Sequence, residues 1–472
     1  MARNGWPPGP RRTPRAVLPL ALGREPLSFL RELVRDYGDV SHITAAGEHI
    51  VVLNHPRLIR DVLVTHQRNF RKGRGLERAR KLLGNGLLTS EGEEHLRQRR
   101  LIQPAFHKER VASYATAMTE YATRIQSRWA DGATLDIAGE MMRLTLGVVG
   151  RTLFDADVEA QARNVGEALS SVLNSFWTTM LPFADLLEKL PFPLLKRGKE
   201  ARAELDAIIY GLIAERRKAP GDRGDLLSML LLAQDEEQGG RGMSDTQVRD
   251  EAMTIFLAGH ETTANALAWT WYLLSGAPEV EQSLHEEVDR VLSGRVPTAA
   301  DLPRLPVVEQ VITEAMRLYP PAWLIGRRAI GEYQVGGYTL PPRTIVLISP
   351  YVIHRDARFF AEPDRFIPSR WTPEFRQALT PFAYVPFGGG TRRCIGESFA
   401  WMELVLVTAT LAQRWRLRLV PGHPVVTQPL VTLRMKHGLR MTAERRFDLR
   451  SRGVSAPQDL RSRGASAPQD AE

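Results

Sequence analysis

Cysteine is nearly absent from this chain of 472 residues, which contains only Cys394. A single thiol excludes a disulfide framework and any zinc or iron–sulfur site that needs four thiolates. Long apolar runs are also missing, since no stretch approaches the roughly 18 residues that span a bilayer. The apolar segment at residues 16–22 contains a proline and is too short for the core of a signal peptide. The sequence therefore favours a cytoplasmic protein without a stable membrane anchor.

Aromatic side chains make up 7% of the chain, and they are not interleaved with clusters of lysine and arginine. This pattern argues against binding of nucleic acid. The net charge of +9 instead favours an acidic partner or a negative surface. The hydrophobic fraction of 43% is ordinary for a globular protein and supports a sizeable core.

Composition divides the chain into three parts. Residues 1–15 are rich in proline, glycine and arginine, which predicts an extended lead-in. Residues 16–445 carry the periodic patterns of one folded domain. Residues 446–472 include an 11-residue segment that occurs twice, at 449–459 and 460–470. Because this segment has almost no apolar content, we expect a disordered tail.

The spacing of apolar residues predicts a mainly α fold with a smaller β region. Helical periodicity dominates from Glu93 to about residue 320, whereas residues 71–93 are glycine-rich and basic and favour a loop with short helical turns. Strand patterns occur at residues 49–53, 333–348 and 415–419. The longest helix candidate begins at Ser244, a capping residue, and ends near Ser275, before Gly276.

Cys394 lies in the segment PFGGGTRRCIG, residues 386–396, directly before an apolar helical pattern. The glycines allow positive φ and close approach to a flat or bulky group. A thiolate at the start of a helix is stabilised by unpaired N–H groups and the helix dipole, and Arg392 adds a cation. A lone cysteine is most often a small buried apolar residue, but these neighbours favour a sulfur bound to a metal.

A second motif, A-G-H-E-T-T at residues 258–263, lies in the middle of the longest helix candidate. Glycine inside a helix costs about 1 kcal/mol relative to alanine; a flat cofactor pressed against Ala258 and Gly259 would explain it. Thr262 can donate to a carbonyl one turn earlier. A zinc protease motif is excluded because its fifth position is Ala264 and not histidine. The alternative is a solvated polar turn.

Both motifs resemble those of the cytochrome P-450 family. The haem-binding loop of that family, F-G-x-G-x-R-x-C-x-G, is matched by Phe387, Gly388, Gly390, Arg392, Cys394 and Gly396. The second motif matches the oxygen-activation motif at every position. The resemblance covers roughly residues 5–445. It implies the P-450 fold, a mainly helical triangular prism that holds haem b (iron protoporphyrin IX) between the long helix and the cysteine loop.

The resemblance also implies roles for single residues. Cys394 would be the axial ligand of the haem iron, Thr262 would hydrogen-bond dioxygen, and Glu261 would supply protons from water. Haem would lie against Ala258, Gly259, Phe387 and Gly396. Its propionates need cations or donors, and the candidates are His95, Arg99, Arg392 and either Arg327 or its neighbour Arg328.

Glu314 and Arg317 are spaced to share one face of a helix, and Arg370 follows in the segment Pro-Ser-Arg-Trp. An exposed pair at this spacing is worth only a few tenths of a kcal/mol. Together the three resemble the structural Glu–Arg–Arg triad of the family, whose usual segment is Pro-Glu-Arg-Phe, so Ser369 and Trp371 depart from the pattern. We interpret the triad as holding the loop that carries the cysteine.

The candidate substrate contacts are apolar: Leu87, Phe176, Trp177, Phe256, Trp323, Leu324 and Leu433. They favour a hydrophobic substrate such as a fatty acid, a terpenoid or another lipid. They could equally be core residues.

The resemblance implies a haem-thiolate monooxygenase, which takes dioxygen, two electrons and two protons and inserts one oxygen atom into its substrate. No flavin or nicotinamide domain is evident, so we expect electrons from a separate ferredoxin or flavodoxin-type donor with its reductase. We also expect the enzyme to be a monomer. Candidate docking residues are Arg97, Arg100, Lys108 and Arg110. Two alternatives stay open, a peroxide-driven peroxygenase and a haem-binding sensor or carrier. The Glu261–Thr262 pair argues against the first, and the lack of a signalling domain argues against the second.

Overall fold

The computed structural model describes residues 5–10, 25–45, 47–155, 193–235 and 239–446, without the side chains of residues 82, 193–197 and 241. Its α-helices are α1 Pro26–Tyr37, α2 Pro56–Arg60, α3 Arg74–Leu83, α4 Gly92–Ile102, α5 Lys108–Ser113, α6 Ala115–Gln126, α7 Ile137–Phe154, α8 Pro193–Lys218, α9 Leu226–Leu232, α10 Asp245–Ser275, α11 Pro278–Leu292, α12 Pro306–Leu318, α13 Pro350–Ile353, α14 Pro373–Ala378 and α15 Glu397–Ala412. The strands are β1 Val40–Ala45, β2 Glu48–Leu53, β3 Phe70–Lys72, β4 Thr134–Asp136, β5 Gln234–Asp235, β6 Arg241–Gly242, β7 Ile325–Ala329, β8 Tyr333–Val335, β9 Tyr338–Leu340, β10 Ile345–Ile348, β11 Trp415–Leu419, β12 Thr427–Pro429, β13 Leu433–Met435 and β14 Arg440–Arg445. The prediction of a mainly helical fold with a smaller β region is confirmed.

The largest sheet has five strands in the order β1-β2-β10-β7-β3. It joins distant parts of the chain, because β10 runs parallel to β2 with Val346 opposite Val51, while β7 pairs antiparallel with both β10 and β3. A three-stranded sheet has the order β11-β14-β4, and three two-stranded pairs complete the β structure described here. Strand β7 therefore brings residues 325–329 beside residues 70–72.

Helix α10 lies at the centre of the helical part and packs against α7, α8, α12 and α15. The hydroxyl of Ser244 accepts a hydrogen bond from the N–H of Gln247, so the predicted helix start is confirmed. Buried side chains lie on every face of α10, which is typical of a helix in the core of a large protein. In the described ranges, no helix combines the length and the apolar content that a membrane crossing requires.

The prediction of a loop over residues 71–93 is wrong in its first half, where the ten-residue helix α3 forms. Gly73 precedes this helix, and Gly84, with a φ of 81°, ends it, so these glycines mark the ends of the helix and do not prevent it. Of the predicted termini, residues 5–10 contain no helix or strand. The repeat-containing tail from residue 447 onward lies outside the described residues.

Candidate active site

The cysteine loop, residues 386–396, precedes α15 and rests on a π-helical turn, Asp61–Thr65, and the residues that follow it. The N–H of Cys394 donates to the carbonyl of Phe387 at 3.0 Å, which folds the loop back on itself. Gln67 fixes the other side, because its Oε1 accepts from the Thr391 N–H at 2.9 Å and from the Thr391 hydroxyl at 2.8 Å. The position of the cysteine therefore depends on a segment that lies more than 300 residues earlier.

The glycines of this loop make room for protein atoms. A Cβ atom on Gly390 would lie 1.9 Å from the carbonyl oxygen of Leu63, and one on Gly389 would lie 2.6 Å from Phe382. Gly388 and Gly390 have φ of 71° and 69°, in the left-handed region. The close approach that the sequence predicted is therefore confirmed at Gly389 and Gly390, but its partner is the π turn and Phe382.

Replacement of Gly390 by alanine should destabilise the holoprotein by about 3 kcal/mol, because it adds a steric clash to the cost of positive φ. Gly388 is the matched control, since its φ is nearly the same and a Cβ there meets only Ile325 Cδ1, at 3.9 Å. Gly388→Ala should cost about 1 kcal/mol. The urea midpoints for haem release compare the two variants, and equal losses would contradict the clash with Leu63.

Cys394 is exposed, although many protein atoms lie close to its sulfur. Desolvation by these atoms raises the pKa of the thiol to about 11, whereas the Gly396 N–H group and the cations of Arg99 and Arg393 lower it. The start of α15 thus favours the thiolate, as predicted, but desolvation has the larger effect. A metal ion deprotonates the thiol that coordinates it, so a haem iron would overcome this shift. This environment fits a haem iron.

Arg392 does not assist the thiol as predicted. Its Nη2 donates to Glu91 Oε2 at 2.7 Å and to Phe70 O at 3.0 Å, and its buried Nε has no hydrogen-bond partner among the described residues. Arg327 is buried nearby with one hydrogen bond, from Nη1 to Gly326 O at 2.9 Å. Burial and the charge of Arg392 lower the pKa of Arg327 to about 10. The buried guanidinium of Arg327 and the partly buried one of Arg392, both with spare donors, suit the carboxylates of a haem.

Arg328, the alternative to Arg327, lies on the opposite face of β7, where its Nη1 pairs with Glu77 at 3.1 Å. Its charge is therefore already matched by a carboxylate of α3. Of the two neighbours, Arg327 is the one that lies beside Arg392.

His95 and Arg99 share one face of α4, as their spacing predicts, and both reach the backbone of the cysteine loop. His95 Nε2 lies 3.4 Å from Thr391 O, and Arg99 Nη1 donates to Arg393 O at 2.8 Å. Burial and the charge of Lys72 lower the pKa of His95 to about 4. The imidazole is therefore neutral near pH 7 and keeps one N–H that can be donated.

The middle of α10 exposes Ala258 and part of Thr262, whereas most of the helix is buried. The Thr262 hydroxyl donates to the carbonyl of Ala258 at 2.7 Å, which confirms the predicted bond to the preceding turn. A Cβ atom on Gly259 would lie 3.1 Å from Val149 Cγ2, so this glycine also lets α7 approach α10. Ala258 is exposed and Gly259 is half-buried, so both small residues keep accessible surface.

Glu261 is buried, and its Oε1 accepts hydrogen bonds from the Thr432 hydroxyl and, at 2.6 Å, from Arg434 Nε. Asn265 Nδ2 donates to the same Thr432 hydroxyl at 3.1 Å. The predicted proton donor is thus paired with a cation from the β12–β13 hairpin. Sequence reasoning missed Arg434 and Thr432 because no local pattern links that hairpin to α10.

Glu314 and Arg317, both fully buried, form a bidentate pair with two N–O distances of 2.8 Å. The Glu314 carboxylate also accepts from Arg370 Nε at 3.1 Å, from the Ile367 N–H at 3.0 Å and from the Trp371 indole at 2.8 Å. The departure from phenylalanine at position 371 therefore adds a donor to the triad. The three predicted residues do come together.

The triad is linked to the cysteine loop through one histidine. Arg317 donates to the carbonyls of His354, Pro363 and Arg365 at 2.6–2.9 Å. His354 Nε2 in turn accepts from the Val385 N–H at 2.8 Å, one residue before the loop begins. This chain of hydrogen bonds agrees with the interpretation that the triad holds the loop.

The predicted substrate contacts do not form one group. Phe176 and Trp177 lie outside the described residues. Trp323 and Leu433 are 4% and 0% exposed and belong to a core cluster that includes residues of the large sheet, which favours the core alternative for these two. Leu87 is buried and Leu324 is half-buried.

Phe256 lines an apolar cavity between α7, α8 and α10. The other lining residues are Phe154, Leu205, Ile208, Ile209, Leu212 and Met253. The ring of Phe154 meets that of Phe256 edge to face, with 5.3 Å between the centroids. The sequence does not indicate that the apolar face of α8 packs towards α10. The lining residues on α8 were therefore not predicted.

The cations predicted to receive an acidic partner are Arg97, Arg100, Lys108 and Arg110. Asp235 lies 2.7 Å from Arg97 and 3.9 Å from Arg100, and Asp222 lies 2.7 Å from Arg110. Lys108 is exposed. The positive charge of this surface is therefore lower than the sequence alone suggests.

Comparisons with known proteins agree with this geometry. The profile of the family described as Cytochrome P-450 matches residues 7–439. The chain is 41% identical over 404 residues to cyclooctat-9-en-7-ol 5-monooxygenase of Streptomyces melanosporofaciens, covering 85% of this chain and 87% of that protein. It is 38% identical over 421 residues to pentalenene oxygenase of Streptomyces avermitilis, covering 89% and 92%.

Among solved structures, the crystal structure of the cytochrome P450DA heme domain matches with a TM-score of 0.85 and 28% identity, over 94% of this chain and 98% of that one. Profile, sequence and fold thus agree over nearly the same residues. The chain belongs to the cytochrome P-450 family and is a haem-thiolate monooxygenase.

Proposed function

We propose that this enzyme inserts one oxygen atom from dioxygen into a terpenoid, with a cyclic alkene or alkenol as substrate. The observation that carries the proposal is the similarity to two oxygenases named for cyclooctat-9-en-7-ol and pentalenene. The side chains around Phe154 and Phe256 are all uncharged, which agrees with a hydrophobic substrate, but the cavity they enclose has a volume of about 20 Å³ and does not itself hold a terpenoid.

The cofactor proposed is haem b, with Cys394 as the axial ligand of its iron. Thioether attachment of haem needs cysteines in addition to the ligand, and this chain has one cysteine. Arg327, Arg392 and His95 would hold the propionates, whereas Arg99 lies beside the thiol and would act on the ligand itself. Ala258 and Phe387 would contact the porphyrin ring.

A haem with a thiolate ligand supplies the chemistry that cleaves dioxygen and transfers one oxygen atom. The protein supplies protons and excludes water. Thr262 would turn its hydroxyl from Ala258 O towards dioxygen, and Glu261 would pass protons while Arg434 and Thr432 hold its carboxylate. The buried apolar residues on both sides of Phe256 would keep bulk water from the reaction.

Thr262→Ala should lower product formation per electron by about a hundredfold, the range expected for loss of a positioned proton-transfer group. Consumption of reducing equivalents should continue. Thr270→Ala is the control, because Thr270 lies on the same helix and makes the same type of bond, to Ala266 O at 2.8 Å. Product and reductant are measured together with a surrogate reductase. Equal coupling in both variants would contradict the role of Thr262, and undiminished activity with peroxide alone would favour the peroxygenase alternative.

The electrons are proposed to come from a ferredoxin or flavodoxin-type protein with its reductase, and the enzyme to act as a monomer. Lys108 would contribute to docking together with Arg97, Arg100 and Arg110, whose positive charge is partly offset by Asp235 and Asp222. An acidic donor should therefore bind with a moderate dependence on salt concentration.

The substrate class is tested by spectral titration of the ferric enzyme with pentalenene, other cyclic terpenes and fatty acids of similar size. Displacement of the water ligand shifts the spin state when a substrate binds. Product analysis with a surrogate reductase then identifies the oxidised position. A response to fatty acids and none to cyclic terpenes would refute the proposed class.

A further inference from the structure

The loop at residues 84–90 is held between two buried ionisable side chains, a lysine and a glutamate. Lys72, at the end of β3, donates from Nζ to the carbonyls of Leu87 and Ser90, both at 2.7 Å. From the other side, Glu251 of α10 accepts the N–H of Leu87 at 2.7 Å. Lys72 is 5% exposed and Glu251 is fully buried. The carbonyl and the N–H of Leu87 are therefore each bound by a buried ionisable side chain.

The same loop is pressed onto α10. The N–H of Asn85 donates to Asp250 Oδ2 at 2.7 Å. A Cβ atom on Gly86 would lie 2.3 Å from Thr254 Oγ1, and Thr254 lies one turn before Ala258. Leu87 and Leu88 are thus fixed against the part of α10 that leads to the accessible stretch of the site.

Burial of two ionisable side chains costs free energy that a loop held by backbone groups alone would not require, and burial accordingly lowers the pKa of Lys72 to about 7 and raises the pKa of Glu251 to about 8. The surroundings of Lys72 add to this cost, since Arg327 and Arg392 are near and only Glu91 and Glu251 oppose them. His95 Nδ1 lies 3.4 Å from the ammonium group. The structural effect of this arrangement is that the position of Leu87 is fixed.

We propose that Lys72 and Glu251 form a buried clamp on Leu87 and act as positioning residues that set the shape of the substrate site. The substrate class rests on the proposed function, whereas the clamp itself does not. Loss of either side chain should release the loop, and loss of both should add little, because they hold the same residue.

The test uses the holoenzyme and the variants Lys72→Met, Glu251→Ala and the double variant, with Glu251→Gln to restore the acceptor. Arg71→Met is the matched control, because Arg71 is an exposed cation next to Lys72 on β3. Hydrogen exchange of the amides of residues 85–90 reads the loop without any substrate. Spectral titrations measure the affinity of the site for pentalenene and for imidazole, a small ligand. The amplitude of the reduced carbonyl adduct measures how much haem is retained.

We expect each single variant to speed exchange of the loop by about tenfold, and the double variant to match the larger single effect. Pentalenene should bind about fivefold more weakly or worse, while imidazole binding stays within about twofold and Arg71→Met behaves as the parent. Unchanged exchange, additive effects, or exchange that rises only in proportion to lost haem would overturn the clamp. If the parent enzyme binds fatty acids and none of the cyclic terpenes, pentalenene included, the proposed substrate class is refuted and the exchange data still decide the clamp.

Discussion

Cys394→Ser should abolish oxygen insertion, with a loss on the order of a thousandfold or more, because every later step depends on this ligand. The hydroxyl of serine has a far higher pKa than a thiol, and the surroundings that already raise the thiol pKa to about 11 would keep it protonated. The Soret maximum of the reduced carbonyl adduct should move to shorter wavelength. That spectrum, recorded on purified protein reconstituted with haem, is the measurement.

Cys394→His separates ligation from the chemistry of the ligand. Imidazole binds haem iron without a full negative charge, so this variant should retain haem but not monooxygenase activity. The contacts of the cysteine loop with Gln67 and Leu63 do not involve the side chain at position 394, so the backbone of the loop should stay in place. An unchanged carbonyl spectrum in Cys394→Ser would show that the Cys394 sulfur is not the iron ligand. Full activity in Cys394→His would show that the negative charge of the thiolate is not needed.

Local patterns in the sequence were enough to predict the parts of the site that lie on one element. The N-cap at Ser244, the bond from Thr262 to Ala258 O and the shared face of His95 and Arg99 follow from helix geometry alone. The cysteine loop was predicted from its own eleven residues. These features need no knowledge of the tertiary structure.

What could not be predicted depends on partners that are distant in the chain. The ion pair between Glu261 and Arg434, the contact of Gly390 with Leu63 and the bonds from Lys72 to the 84–90 loop each join separate elements. Helix α3 was missed for another reason, since its glycines act at the ends of the helix and were counted as signs of a loop. In both cases the residue types can be read from the sequence, but their relative positions in the folded chain cannot.

The buried triad allows the second large effect to be predicted. Glu314→Ala should destabilise the protein by about 3–5 kcal/mol, because it leaves the guanidinium groups of Arg317 and Arg370 buried without their carboxylate. The Trp371 indole and the Ile367 N–H lose their acceptor as well. The loss should reach the active site through His354, whose ring holds the Val385 N–H. Haem should therefore be released at a lower urea concentration than in the parent.

Glu309→Ala is the matched control, since Glu309 lies five residues earlier on α12 and pairs with Arg376 at 3.1 Å. Both partners are more than a third exposed. Such a pair contributes at most about 1 kcal/mol in water. The two variants remove the same side chain from the same helix, so their difference isolates burial. Similar urea midpoints for the two would show that the triad is only another surface ion pair, and that the cysteine loop does not depend on it.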